Sequence, residues 1–240
     1  MRPKREKWER WNREEEWFLT SDGVLKLSEP ITIERLTQLL FDETRLEASG
    51  AFGILHGPPS GRKSEVALSL AIDLAAKAVV AHYLDVNFSL VPDYLLSELH
   101  REDELPVRIY RPGEPTQAEK VLEILASETS THPELIILDS LILMGRVALL
   151  RDLEVDPVYV FALMRKFALE PQKKAVVILE TRMRNVSQAS VVRQFTKHID
   201  FIAKSSMVAG GALSISVSHT PFTDVKPYRI EAGDLPTALL

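Results

Sequence analysis

From residue 51 onward, short apolar runs alternate with longer segments whose apolar residues recur at helical spacing. The runs at 51–56, 79–84, 107–111, 135–139 and 175–179 predict strands. Several are apolar at nearly every position, which is the pattern of strands covered on both faces. Segments 63–77, 93–101, 116–129 and 156–169 predict the intervening helices. Strand–helix alternation of this kind predicts a mostly parallel, doubly wound α/β sheet. The pattern then changes. Three short strand candidates, 199–204, 212–218 and 227–231, are separated by Gly210-Gly211 and by Thr220-Pro221. They predict an antiparallel extension at one edge of the sheet. A helix is expected at 33–41, after Pro30.

Residues 1–32 stand apart from the core expected at 33–240. Lys4 to Phe18 is dense in charge of both signs and carries Trp8, Trp11 and Trp17. Trp8 and Trp11 are i,i+3 neighbours on a helix. Such a helix docks on its own domain or offers a surface for oligomerisation or for a partner.

Bulk composition narrows the classes without choosing among them. The chain has 240 residues, 45% hydrophobic and 26% charged, which suits a soluble globular protein. The N-terminus lacks the apolar centre of a signal peptide, and no run is long enough to span a membrane. A cytoplasmic protein without membrane partners is therefore expected. There is no cysteine, so disulfides and thiolate metal sites are excluded. The histidines are scattered, with no metal-ligand spacing. Asparagine occurs only at Asn12, Asn87 and Asn185, while Glu, Lys and Arg are frequent, the direction seen in thermophile proteins. The formal charge of −5 means that any nucleic-acid contact must use a local basic patch.

The chemistry concentrates at Gly57-Pro58-Pro59-Ser60-Gly61-Arg62-Lys63-Ser64. This is the phosphate-loop pattern G-x-x-x-x-G-K-[ST] with its second glycine replaced by Arg62. It follows a predicted strand and opens a predicted helix, as the motif requires. Backbone N–H groups of such a loop cradle phosphate oxygens, Lys63 reaches the β/γ-phosphates, and Ser64 ligates Mg²⁺. Read as turn chemistry alone, Gly-Pro-Pro also suits a plain strand–turn–helix. The second element is Leu135-Ile136-Ile137-Leu138-Asp139, a buried strand ending in an acid able to organise Mg²⁺. The strands ending at His56, Leu84 and Asp139 are expected side by side.

These blocks resemble the RecA/RadA recombinases, and within them the archaeal RadA paralogues, over about residues 33–236. LIILDSL at 135–141 is similar to the family's Walker B strand. Tyr83-Leu84-Asp85-Val86-Asn87 is similar to its Y-I-D-x-E, residues 175–182 to the strand that ends in a γ-phosphate-sensing Gln, and residues 217–235 to its closing hairpin. The resemblance implies a RecA-like P-loop fold with ATP and Mg²⁺ as cofactors. Its cofactor residues would be Gly57, Pro58, Pro59, Ser60, Gly61, Arg62, Lys63, Ser64 and Asp139, with Mg²⁺ on Ser64 and Asp139.

The departures are equally informative. Arg62 replaces a glycine whose freedom the loop uses. Asn87 stands at the family's catalytic Glu, and an amide cannot act as a base. Asp85 lies on the same strand face but about 7 Å away along the chain. The sensor Gln falls near Arg182. Binding with weak or no hydrolysis is expected, at most a weak DNA-dependent ATPase.

In the family, two loops hold single-stranded DNA. The matching segments are 143–155, with Arg146 and Arg151, and 183–196. From 182 to 204 the chain holds Arg182, Arg184, Arg193, Lys197 and Lys204 against Asp200 alone. This local basic patch fits phosphate contacts, and fits a solvated cationic loop equally well. The resemblance implies a paralogue that binds ATP and single-stranded DNA and assists a recombinase or another repair protein. The alternative is a KaiC-like nucleotide-binding regulatory module that makes no DNA contact.

Overall fold

The computed structural model describes residues 29–41, 50–59, 61–86, 106–128, 130–141, 155–180, 198–208, 212–219, 226–231 and 235. Its elements are, in chain order, β1 (Glu29–Pro30), α1 (Ile33–Leu40), β2 (Ala51–Gly57), α2 (Lys63–Ala75), β3 (Val80–Asp85), β4 (Val107–Tyr110), α3 (Pro115–Ser127), β5 (Glu134–Asp139), α4 (Pro157–Phe167), β6 (Lys173–Glu180), β7 (Phe201–Met207), β8 (Leu213–His219) and β9 (Lys226–Ile230). The predicted helix at 93–101, and the tryptophan-bearing segment, lie outside the described residues.

The strands form one nine-stranded sheet in the order β1-β9-β8-β7-β2-β6-β5-β3-β4. From β7 to β4 every pair is parallel. β8 joins antiparallel to β7, and β9 antiparallel to β8, as the change of pattern near residue 199 predicts. Glu29 and Pro30, read from sequence as part of the N-terminal linker, pair with Tyr228 and Arg229 of β9.

One expectation is corrected. The strands ending at His56 and Asp139 are not neighbours, because β6 lies between them and pairs with both β2 and β5. The reason is in β6 itself, where Ala175 to Leu179 are all buried. A strand apolar on both faces belongs at the centre of a sheet covered on both sides.

Two cores explain the near-continuous apolar strands. Leu135 and Ile137 face a cluster with Leu36 and Leu40 of α1 and Val66, Ala67 and Leu70 of α2. Ile136 and Leu138 face the opposite cluster, with Leu122 of α3 and Phe161, Met164 and Phe167 of α4. Alternate residues of one strand therefore serve different cores, so period-two polarity vanishes. Phe52 of β2 meets the Phe161 ring edge-on at 4.8 Å, fixing α4 on its face.

Local signals set the helix starts. The Thr32 side chain accepts from Arg35 N–H at 3.2 Å, and Asp156 accepts from Val158 N–H at 2.8 Å. Pro115 and Pro157 begin α3 and α4, where a missing N–H costs no helix bond. Helix α2 differs. Its N-cap is Arg62, and no side chain caps it. None of the helices among the described residues is long and apolar enough to cross a membrane.

Candidate phosphate-binding site

Strand β2 ends in Gly57, whose backbone has φ +157°. A Cβ on Gly57 would lie 2.0 Å from the carbonyl oxygen of Ser205 on β7, so only glycine fits. A Cβ on Gly61 would stand 2.7 Å from that same oxygen. Between these glycines the chain turns back on itself, because the Pro58 carbonyl accepts the Gly61 N–H at 2.9 Å. The same carbonyl accepts from the Lys63 ammonium at 2.6 Å. The loop lysine is thus folded onto its own loop and mostly buried.

Arg62 holds φ 45° and ψ 35°, the left-handed region. This is the backbone conformation that a glycine supplies freely, and it stands where the motif's glycine is missing. The Arg62 side chain turns along α2 and ion-pairs with Glu65. Burial raises the pKa of the Glu65 carboxyl, and Arg62 opposes that shift. The open N-terminus of α2 leaves its first N–H groups without a side-chain cap, as at anion-binding helix starts.

Beneath α2 lie two carboxylates. Asp85 ends β3 and Asp139 ends β5, directly opposite each other in register. Both are buried, at 0% and 1% exposure. The Tyr83 hydroxyl donates to Asp139 Oδ2 at 2.8 Å and lies 3.4 Å from the Ser64 carbonyl oxygen. It therefore brings the acidic strand end and the first turn of α2 to one point. Burial, then the Asp139 charge, pushes the Tyr83 pKa well above its ordinary value. Asp85 is engaged differently, since Arg111 Nε donates to its Oδ2 at 3.2 Å. The peptide bond joining Asp139 to Ser140 is cis.

His56 sits one residue before the loop and is buried. Burial first, then the Lys204 and Lys63 charges, lower its pKa to about 3, so the imidazole is neutral at ordinary pH. An imidazolium here would repel the loop lysine.

Of the residues singled out from sequence, Gly57, Pro58, Pro59, Gly61, Arg62, Lys63 and Ser64 form one loop and helix start. Asp139 and Asp85 lie together at the neighbouring strand ends. Ser60, Asn87, Arg146, Arg151, Arg182, Arg184, Arg193 and Lys197 lie outside the described residues. Sequence reasoning missed the parts played by Arg111, Glu65 and Ser205. Tyr83 carried a usable signal, being two residues before Asp85 and so on the same strand face. Among the described residues, no group of three or more His, Cys, Asp or Glu is placed to hold a metal ion. Mg²⁺ in phosphate sites is held by one or two carboxylates together with phosphate oxygens, and Asp139 with the Ser64 hydroxyl is a donor set of that type.

No protein-family model matches the chain, and no curated protein matches it. Among solved structures, the crystal structure of the RadB recombinase aligns with a TM-score of 0.54 at 14% identity. The alignment covers 78% of this chain and 89% of that one. At such identity the likeness is one of fold, and the chain has a RecA/RadA-like recombinase fold.

Proposed function

We propose that this protein is a RadA-like recombinase paralogue. It binds ATP with Mg²⁺ and single-stranded DNA, hydrolyses ATP weakly or not at all, and assists a recombinase in recombination and repair. The observation that carries the nucleotide part is the Tyr83 hydroxyl, which lies against both Asp139 and the Ser64 carbonyl. It draws together the two halves that a phosphate site needs.

In this reading, loop N–H groups and the α2 N-terminus receive the phosphates. Lys63 exchanges the Pro58 carbonyl for the β/γ-phosphates. Ser64 and Asp139 would hold Mg²⁺, which would neutralise phosphate charge. Position 87 supplies no base for hydrolysis. Asn87 is an amide, and Asp85 is buried against Arg111. The DNA part rests on the cations Arg146, Arg151, Arg182, Arg184, Arg193 and Lys197 and on the fold.

The test is paired. Calorimetry with MgATP should give binding that Lys63→Ala removes. Filter binding should then retain single-stranded DNA at low salt with ATP present. Nucleotide binding without DNA retention would replace this reading with the KaiC-like regulatory module, which the acidic net charge favours.

A further inference from the structure

Strand β7 runs further than its ladder with β2. That ladder ends at Lys204 opposite His56, yet β7 continues to Met207. On its β2 side Ser205 therefore passes beside the phosphate loop, while on its other side it stays paired with Ile215 of β8. It is fully buried, its backbone carbonyl presses on Gly57 and Gly61, and its hydroxyl donates to the Gly61 carbonyl.

That last bond acts on the next residue. The Gly61 carbonyl and the Arg62 N–H belong to one planar trans peptide and point in opposite directions. Tying the carbonyl to β7 turns the Arg62 N–H away from β7. The same peptide precedes the left-handed Arg62 backbone, which a side chain resists. A glycine needs no external support there. An arginine does, and two groups supply it. Glu65 pairs with its side chain, and Ser205 holds its peptide.

We propose that Ser205 is a positioning residue for phosphate binding. It holds the Gly61–Arg62 peptide in the orientation that the missing glycine would adopt unaided. The proposal rests on the nucleotide-binding reading above and deepens it.

The test is a double-mutant cycle on the full chain, with MgADP affinity measured by calorimetry. Ser205→Ala should weaken binding roughly five- to tenfold, the size of one hydrogen bond, and should lower the melting temperature as the loss of any buried bond does. In the Arg62→Gly background the same change should cost less than about twofold, since glycine removes the need for support. Ser205→Cys, nearly the same size, replaces the alanine variant should that one not fold, and the same coupling is expected. Equal affinity of the Ser205 variant and the wild type overturns the proposal. So does an equal loss in both backgrounds, which would make Ser205 merely structural. If Lys63→Ala abolishes binding in the same assay, either result leaves the nucleotide site standing. A folded wild type that binds no MgADP overturns both readings together.

Discussion

The Tyr83 hydroxyl and the Asp139 carboxylate are 2.8 Å apart and buried, on adjacent strands and on the face that α2 covers. Tyr83 therefore orients the acid that ends β5. Its own ring packs in the apolar core beneath, so the acid is held by a rigid side chain rather than a flexible one.

Tyr83→Phe keeps the ring and removes the bond. It leaves a buried carboxylate short of one partner, which should cost about 1–3 kcal/mol of stability. Urea unfolding at neutral pH measures this. The variant should also need more Mg²⁺ for half-maximal ATP binding, because Asp139 loses its fixed direction. A stability equal to wild type would mean that Asp139 is adequately held by other groups.

Nucleotide affinity should follow the loop residues in a definite order. Lys63→Ala abolishes ATP binding, because the loop cation that would leave the Pro58 carbonyl for a phosphate is gone. Arg62→Gly tightens it, because glycine adopts the left-handed backbone without strain. Adding Asn87→Glu to Arg62→Gly raises turnover by restoring a base. Phosphate release assays check the last step. Brisk turnover by the wild type would refute the assignment of position 87 as a lost base.

Much of this was legible in sequence because it is local. The glycine positions, Lys63, Ser64 and the apolar run ending in Asp139 declare themselves within a few residues. Among the described residues, the strand and helix bounds fell within a few positions for the same reason. What escaped was set by pairings far apart in sequence. The place of β6 between β2 and β5 depends on competition among apolar strands for the sheet centre. The reading of β7 stopped at Lys204, where the apolar alternation gives way to Ser205-Ser206. Ser205 touches Gly61 across 144 positions, and no local pattern marks such a contact. The Arg111–Asp85 pair likewise joins residues that only the sheet brings together.

Stability should fall as acid is added, with a sign fixed by two buried histidines. His56 has its pKa lowered to about 3 and His82 to about 4, each mainly by burial, from an unfolded value of 6.5. Between those limits the unfolded chain binds more protons than the folded one, so stability declines as pH drops through 6.5. For His56 alone the loss by pH 5 is about 2 kcal/mol. The raised Glu65 pKa acts the opposite way, since its carboxyl is protonated more readily when folded. Urea unfolding at pH 7 and pH 5 tests the net effect. His56→Gln, which cannot charge, should lose less stability between the two. An unchanged difference would show that another group controls the acid limb.

DNA contact should be electrostatic and sequence-tolerant. The cations Arg182, Arg184 and Arg193 follow β6 in sequence, and doubly wound sheets receive ligands beyond the carboxyl ends of their strands. They have few aromatic neighbours in sequence for stacking on bases, Phe195 being the exception, so phosphates are the expected target. Affinity for a single-stranded oligonucleotide should then fall steeply with salt, and each cation removed should lower the log–log slope by roughly 0.7. Replacing the three arginines together by alanine should reduce that slope by about 2 and leave the melting temperature close to wild type. Filter binding across a salt series reads the slope directly. A triple variant that binds like the wild type would place the DNA contact elsewhere, and a wild type that binds none at low salt with ATP present would end the DNA reading.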